Sequence, residues 1–195
     1  MNEPTSARVA RSREKLVRAA TDLLVEAGPR GVTVDAVADR SGVAKSTLYR
    51  HWASRDDMLV DVVRCNVPDS GPPDLSLGFA GALRAYIESL AATLADPEWS
   101  RIVPALMSLR ATMPELAEVV DGDRDSKADV LRSILDLGVD EGLLTLPIDA
   151  EETMILLVGP LVFASITGQS ERLATLTDRV LDDFMAASRS QVSHT

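Results

Sequence analysis

The fold of this chain is decided by residues 30–59, RGVTVDAVADRSGVAKSTLYRHWASRDDML. Apolar residues at helical spacing predict a short helix that begins after Thr33, whose hydroxyl suits an N-cap. Gly42 supplies the permissive backbone of a tight turn, and a second helix follows, with Leu48 and Trp52 directed to the core. The stretch therefore predicts a helix-turn-helix.

The open face of the second predicted helix is polar and basic. It carries Lys45, Ser46, Thr47, Tyr49, Arg50 and His51. Such a helix suits the major groove of DNA, where base-edge donors and acceptors lie between two rows of phosphates. Lysine and arginine neutralise phosphates, hydroxyls position the backbone, and Arg50 has the geometry to pair bidentately with a guanine. The pattern predicts double-stranded DNA as a partner.

The charge of the chain is unevenly distributed along its 195 residues. The net charge is −10, yet residues 1–55 carry +4 and residues 56–195 carry −14. Local charge, rather than total charge, decides whether phosphates are attracted. We therefore expect a small DNA-reading head on a larger acidic body, with Arg8, Arg11 and Arg13 as either a basic arm along the DNA or a solvated tail.

The remaining sequence predicts an all-α fold in two parts. Aromatic residues make up only 4% of the chain, and no sustained alternation of apolar and polar residues predicts a strand. We expect a DNA-binding domain over 1–54 and a regulatory and dimerisation domain over 55–195. The second part would open with a linker helix over 55–65 and a loop over 66–75. Further helices are predicted at about 12–27, 76–95, 98–112, 115–121, 123–141, 150–168 and 170–188.

Residues 13–60 resemble the DNA-binding domain of the TetR family of bacterial transcriptional repressors. The resemblance rests on short runs at fixed spacing: Ala19-Ala20, Leu23-Leu24, Glu26-Ala27-Gly28, Thr33-Val34, Val37-Ala38, Ser41-Gly42-Val43, Thr47-Leu48-Tyr49, His51-Trp52 and Arg55. Two positions depart from the family pattern, since Ser46 stands where Gly is common and Trp52 where Phe is common.

The resemblance implies roles for single residues. Thr33, Lys45, Tyr49 and Arg55 match positions that usually contact phosphates, and Ser46, Thr47, Arg50 and His51 lie where base edges or nearby phosphates are met. Thr33 also serves as a helix cap, whether or not it meets a phosphate.

A homodimer is expected, because such heads usually work in pairs on half-sites about 34 Å or more apart. Residues 154–166 form a helix that is apolar almost all round, and the resemblance implies that the last two long helices pair with those of a second copy. The candidate interface residues are Leu157, Leu161, Ser165, Leu173, Val180 and Phe184. The alternative is that these residues form the core of a single chain.

The middle helices are the candidate sensor. Their candidate ligand-binding residues are Phe79, Leu83, Tyr86, Trp99, Val103, Met107, Arg110 and Met113, each of which is also compatible with plain core. An apolar cavity with few polar anchors suits a hydrophobic or aromatic effector. A ligand that prefers a conformer with the wrong head separation would weaken DNA binding, with helix 55–65 as the hinge.

Other classes of protein find little support in the sequence. The chain has two histidines, His51 and His194, and one cysteine, Cys65, with no Glu-x-x-His pair, Gly-rich phosphate loop or nucleophile elbow. We therefore expect no catalytic residue, metal or cofactor. The longest apolar run is shorter than the roughly 20 residues of a membrane span, and no signal segment is evident, so a cytoplasmic location is expected. A regulator without a small-molecule ligand, or an activator, remains open.

Overall fold

A computed structural model of the chain describes residues 5–68 and 71–192. His194 and part of the predicted loop, residues 69–70, lie outside the described residues. The described residues form α-helices without any strand, which confirms the all-α class. The helices are α1 (Thr5–Ala27), α2 (Val34–Ser41), α3 (Lys45–His51), α4 (Arg55–Asn66), α5 (Gly78–Ala95), α6 (Pro97–Arg110), α7 (Pro114–Asp140), α8 (Ala150–Ile166) and α9 (Leu173–Val192). Short 3-10 turns lie at Pro29–Gly31, Leu75–Leu77 and Ser170–Arg172.

Side chains cap the starts of α2 and α4. The Thr33 hydroxyl accepts a hydrogen bond from the amide of Ala36 at 3.1 Å. Ser54 and Asp57 form a reciprocal capping box at the start of α4. Gly42 ends α2 with a φ of 66°, a left-handed conformation that suits glycine. The predicted helix-turn-helix is therefore confirmed down to its caps and its turn.

Two helices differ most from their predicted bounds. Helix α1 begins at Thr5, well before the predicted start, so Arg8, Arg11 and Arg13 are helical residues. Helix α7 is one long helix, although the sequence predicts separate helices over 115–121 and 123–141 with a break at Gly122. A glycine costs a helix only about 1 kcal/mol relative to alanine, which favourable neighbours and packing can outweigh.

The chain divides into two compact units. The first contains the residues up to Val67 together with Arg101–Val120. Helix α4 lies in this unit and contributes Met58, Leu59, Val62 and Val63, all fully buried. Asn66 at the end of α4 donates a hydrogen bond to the Thr21 hydroxyl on α1 at 2.8 Å. Helix α4, predicted as a linker, is thus packed and bonded as part of the unit that holds the helix-turn-helix.

The second unit contains Pro68–Ser100 and the residues from Asp121 onward. Its core surrounds α5, which buries Phe79, Leu83 and Ile87 against residues of α7, α8 and α9. One buried hydroxyl, that of Ser165, donates to the Leu94 carbonyl at 2.8 Å. Within the described residues, no helix combines the length and the apolar character that a membrane crossing requires.

Candidate nucleic-acid interface

Helix α3, called here the recognition helix, presents one polar face to solvent. Leu48 and the capping residue Trp52 are buried, which fixes the side of the helix that faces the core. The side chains on the remaining surface are Lys45, Ser46, Tyr49 and Arg50, which are exposed, and Thr47 and His51, which are half-buried. Tyr49 is 56% exposed, unusually open for a large aromatic side chain. The structure therefore brings the predicted residues of this helix together on one surface.

Lys45 forms an ion pair that was not expected from the sequence. Its ammonium nitrogen Nζ lies 2.5 Å from Oδ1 of Asp35, in the first turn of α2, and both side chains are exposed. The hydrogen bond with this carboxylate raises the pKa of Lys45, so the lysine keeps its positive charge. An acidic residue in the first turn of α2 is expected from the helix dipole, but its contact across the turn has no signal in the sequence.

Arg55, predicted to contact a phosphate, has partners inside the chain. Its guanidinium donates to the carbonyl of Val32 at 2.7 Å and to that of Pro29 at 2.5 Å. A third nitrogen lies 3.0 Å from the carboxylate of Asp56. These bonds join the start of α4 to the turn between α1 and α2. Exposed Thr33, the other predicted phosphate contact outside the recognition helix, caps α2.

The end of the recognition helix is bonded to its neighbours. The indole N–H of Trp52 donates to Oδ2 of Asp61 on α4 at 2.9 Å. The guanidinium of Arg13 on α1 donates to both oxygens of the same carboxylate, at 2.8 and 2.7 Å. His51 Nε2 lies 3.0 Å from the hydroxyl of Ser12. Both predicted and unpredicted residues thus take part in a polar network at this end of the helix.

Known protein families match this architecture in both parts of the chain. Residues 16–62 match the model for bacterial regulatory proteins of the tetR family, and residues 72–184 match that for a tetracyclin repressor-like C-terminal domain. The chain belongs to the TetR family. This TetR-family chain is a DNA-binding transcriptional regulator, and its relatives and domains are those of regulators rather than of enzymes.

Individual relatives extend over most of the chain. An uncharacterised HTH-type transcriptional regulator of Bacillus subtilis strain 168, YdeS, is 27% identical over 175 residues, covering 87% of this chain and 86% of its own. The structure of Salmonella enterica GusR matches with a TM-score of 0.74 at 16% identity, covering 97% of this chain and 98% of GusR. The flavonoid-responsive regulator FrrA matches with a TM-score of 0.71 at 22% identity, covering 91% and 97%. At these identities the two structures show the fold alone.

The residues predicted for the ligand lie in both units of this TetR-family chain. In the second unit, Phe79, Leu83 and Tyr86 are buried in the core, and Trp99 packs against it half-buried. The hydroxyl of Tyr86 is occupied, because it donates to the Lys127 carbonyl at 2.8 Å. In the first unit the predicted residues are Val103, which is buried, Met113, which is half-buried, and Met107 and Arg110, which are exposed.

A cleft of about 390 Å³ lies in the second unit, between α5 and the start of α9. None of the eight residues predicted for the ligand lines it. Alanines from both helices and three acidic residues contribute to its wall, and its lining residues include Ala91, Ala92, Ala174, Glu88, Glu171 and Asp178.

Most residues predicted for the dimer interface face the interior of their own chain. Leu157, Leu161, Ser165 and Leu173 are at most 3% exposed, and Val180 and Phe184 are half-buried against the same core. The exposed side of α8 instead carries Ile155, Leu156, Phe163 and Ile166, between 45% and 70% exposed. Because α8 is apolar almost all round, its sequence has no periodicity that distinguishes the side facing the core from the exposed side.

Proposed function

We propose that this TetR-family regulator is a repressor that binds a palindromic operator as a homodimer and is released by a small, largely apolar ligand. The observation that carries the DNA-binding part is the recognition helix, in which Lys45, Ser46, Tyr49 and Arg50 are exposed while Leu48 is buried. Two turns of helix with a cationic, hydroxyl-bearing face match the dimensions and the chemistry of the major groove.

The residues of this face divide into two roles. Lys45, Tyr49 and Thr33 are proposed to contact phosphates, which positions the protein without reading sequence. Arg50, Ser46 and Thr47 are proposed to meet base edges, with Arg50 bidentate on a guanine. His51 and Arg55 remain candidates for phosphate contacts, but each must share its donors with the partners it has inside the chain.

The homodimer is proposed to form through the exposed side of α8. Ile155, Leu156, Phe163 and Ile166 form an apolar surface on one helix, and such surfaces on soluble proteins mark interaction sites. A second copy is the favoured occupant, because a two-fold axis brings the same patch of each chain together and matches the symmetry of a palindromic operator. Val180 and Phe184 on α9 remain partly accessible and are proposed to border the contact.

The ligand is proposed to act by linkage with DNA binding. An effector that binds better to a conformer with the wrong spacing between recognition helices weakens operator binding by its differential affinity. Phe79, Leu83 and Tyr86 are closely packed, so a ligand that uses these residues must open the core around α5. Because the structural relative FrrA is described as flavonoid-responsive, a flavonoid is a suitable first probe.

The experiment that tests the proposal begins with the selection of bound duplexes from a random pool. Wild-type protein should enrich an inverted repeat, and anisotropy titrations on that duplex should give a log–log salt slope of about −5 to −7. Lys45→Ala should weaken binding to all duplexes and reduce the slope by about one, whereas Arg50→Ala should cost about 1–3 kcal/mol on the selected duplex alone. Lys15→Ala, on the exposed side of α1, is the control. The absence of any enriched sequence would refute the proposal.

Two further measurements separate the alternatives. Transcription in vitro from a promoter that contains the selected duplex distinguishes a repressor, which lowers transcript yield, from an activator, which raises it. Titration of the protein–duplex complex with a flavonoid or another apolar aromatic compound tests for release. Stable occupancy throughout a panel of such compounds would favour a regulator without a small-molecule ligand.

A further inference from the structure

The recognition helix is too short to keep a fixed orientation without contacts to other helices. It has seven residues, and only Leu48 among them is fully buried. Isolated helices of this length are unstable in water, so the orientation of such a helix depends on the contacts at its ends. The contacts of its C-terminal end therefore matter for how its DNA-binding face is presented.

Asp61 lies at the centre of those contacts. Its carboxylate accepts one hydrogen bond from the indole of Trp52, which caps the recognition helix, and two from the guanidinium of Arg13. Since Asp61 itself belongs to α4, three helices meet at this one side chain. Its side chain is only 17% exposed, and charge-assisted hydrogen bonds that are partly shielded from water are stronger than neutral ones.

A second bond reinforces the same junction. His51, the residue before Trp52, lies with its Nε2 3.0 Å from the hydroxyl of Ser12, the residue before Arg13. Two consecutive residues at the end of the recognition helix are thus joined to two consecutive residues of α1, one pair directly and the other through Asp61. Such a double attachment restricts both the tilt and the rotation of the short helix.

We propose that Asp61 is a positioning residue for DNA recognition, which fixes the recognition helix by joining Trp52 to Arg13. Asp61 acts through these residues and does not itself bind DNA. The inference rests on the proposed DNA-binding role of the recognition helix. Tryptophan suits position 52 because its indole ring, unlike a phenyl ring, has a donor for the Asp61 carboxylate.

The negative charge of Asp61 and its proposed positioning role have opposite effects on the affinity for DNA. A carboxylate close to a DNA-binding surface repels phosphates, so its removal by itself should strengthen the attraction to any duplex. A positioning role predicts the opposite on the operator, where the recognition helix must meet base edges in a fixed direction. Specific and non-specific binding should therefore respond in different directions to Asp61→Asn.

The test compares the duplex selected by wild-type protein with a scrambled duplex of the same length and composition. The variants are Asp61→Asn, Trp52→Phe and the double variant, with Glu14→Gln as a control that removes an exposed carboxylate next to Arg13. Each single variant should weaken operator binding roughly tenfold, and the double variant should be little worse than either, as residues of one network behave. Binding to the scrambled duplex should be tighter in Asp61→Asn and unchanged in Trp52→Phe, and Glu14→Gln should keep the wild-type ratio.

Folding is monitored by circular dichroism so that affinities are compared well below the unfolding temperature. Trp52→Phe keeps an aromatic ring in the core and removes the donor, so it serves if Asp61→Asn fails to fold. A purely structural role would lower the unfolding temperature while the folded variants kept the wild-type ratio of specific to non-specific binding, and that result overturns the inference. If wild-type protein selects no duplex, the proposed function fails and this inference fails with it; equal ratios in wild type and variants overturn this inference alone.

Discussion

At the first turn of the recognition helix, the ammonium group of Lys45 is paired with the carboxylate of Asp35. Because both side chains are exposed, the pair contributes little to the stability of the fold. In the proposed complex with DNA, a phosphate that contacts Lys45 competes with Asp35. We therefore expect this carboxylate to weaken the general attraction to DNA, so that binding depends more on the base contacts.

Replacement of Asp35 by asparagine should therefore tighten binding to every duplex. We expect a gain of roughly two- to fivefold in affinity at moderate salt, because one phosphate contact no longer competes with a carboxylate. Anisotropy titration of the selected and scrambled duplexes measures the effect. Asp39→Asn removes a charge from the same helix without breaking a hydrogen bond to Lys45. Equal tightening in the two variants would show that general charge, rather than the pair, is responsible.

Tyr86 makes the stability of the second unit depend on pH in the alkaline range. Burial raises the pKa of Tyr86, and the carboxylate of Asp123 raises this pKa further. The folded pKa therefore exceeds the unfolded value of about 10, so the stabilisation is fully present below about pH 10 and is lost as the pH rises through the folded pKa. The Tyr86→Phe variant lacks this loss.

The free energy of unfolding of wild-type protein and Tyr86→Phe, measured with urea at pH 8 and pH 10.5, tests this expectation. Tyr86→Phe should be the less stable at pH 8, because the hydrogen bond to the Lys127 carbonyl is gone. The difference should narrow at the higher pH, by at most about 1.4 kcal/mol per pH unit. A difference that stays constant between the two pH values would contradict the assignment.

Helix α7 contains two glycines, one tightly packed and one with open space around it. A Cβ atom at Gly138 would lie 2.8 Å from the ring of Phe79 and 2.7 Å from a methyl carbon of Leu144. At Gly122 a Cβ atom would meet nothing within 4 Å. The first glycine is therefore required by packing between elements, whereas the second is a replaceable weak point of the helix.

Alanine at these two positions should shift stability in opposite directions. Gly138→Ala should lower the free energy of unfolding by about 1–3 kcal/mol, because the buried Phe79 ring must move. Gly122→Ala should raise it by about 0.5–1 kcal/mol, because alanine is the better helix former. Urea unfolding followed by circular dichroism gives both values. A loss of stability in Gly122→Ala would mean that α7 has constraints at this position beyond its backbone.

Local features of the elements could be predicted from the sequence, and long-range contacts could not. Thr33 and Gly42 could be predicted because capping and turn formation depend on residues a few positions apart. The bond between Trp52 and Asp61 gave no such signal, since it needs the angle between two helices. The side of α8 that faces the core was also hidden, because α8 lacks a polar stripe that would mark its exposed side.

For the molecule as a whole, the exposed side of α8 predicts the oligomeric state. Ile155→Glu combined with Phe163→Glu should convert a dimer into a monomer of 20.9 kDa. Each chain would bring two carboxylates into the symmetric contact, so the dimer would have to bury four charges. Sedimentation measurements test this, and operator affinity should fall together with dimerisation. The control is Leu146→Glu, which changes a residue that is 69% exposed and lies outside α8. A double variant that remains dimeric would place the interface elsewhere.

The uneven distribution of charge can be read directly from the sequence. The two compact units of the structure, however, differ from the predicted domains. A boundary after residue 54 followed from the end of the helix-turn-helix pattern. The structure instead keeps α4 with α1 through the buried Met58 and Leu59 and through the bond between Asn66 and Thr21. It also adds Arg101–Val120 to the same unit. Segments distant in the sequence share a unit when their apolar faces are complementary, and composition alone does not reveal this.

The chain has two tryptophans, and each compact unit contains one of them. Trp52 is buried beside the Asp61 carboxylate in the first unit, and Trp99 is half-buried against the core of the second. The protein therefore carries an intrinsic fluorophore in each unit. With Trp99→Phe the emission spectrum would follow the end of the recognition helix alone, and with Trp52→Phe it would follow the second unit alone. Unfolding, DNA binding and effector binding can thus be assigned to one unit or the other in solution without an attached dye.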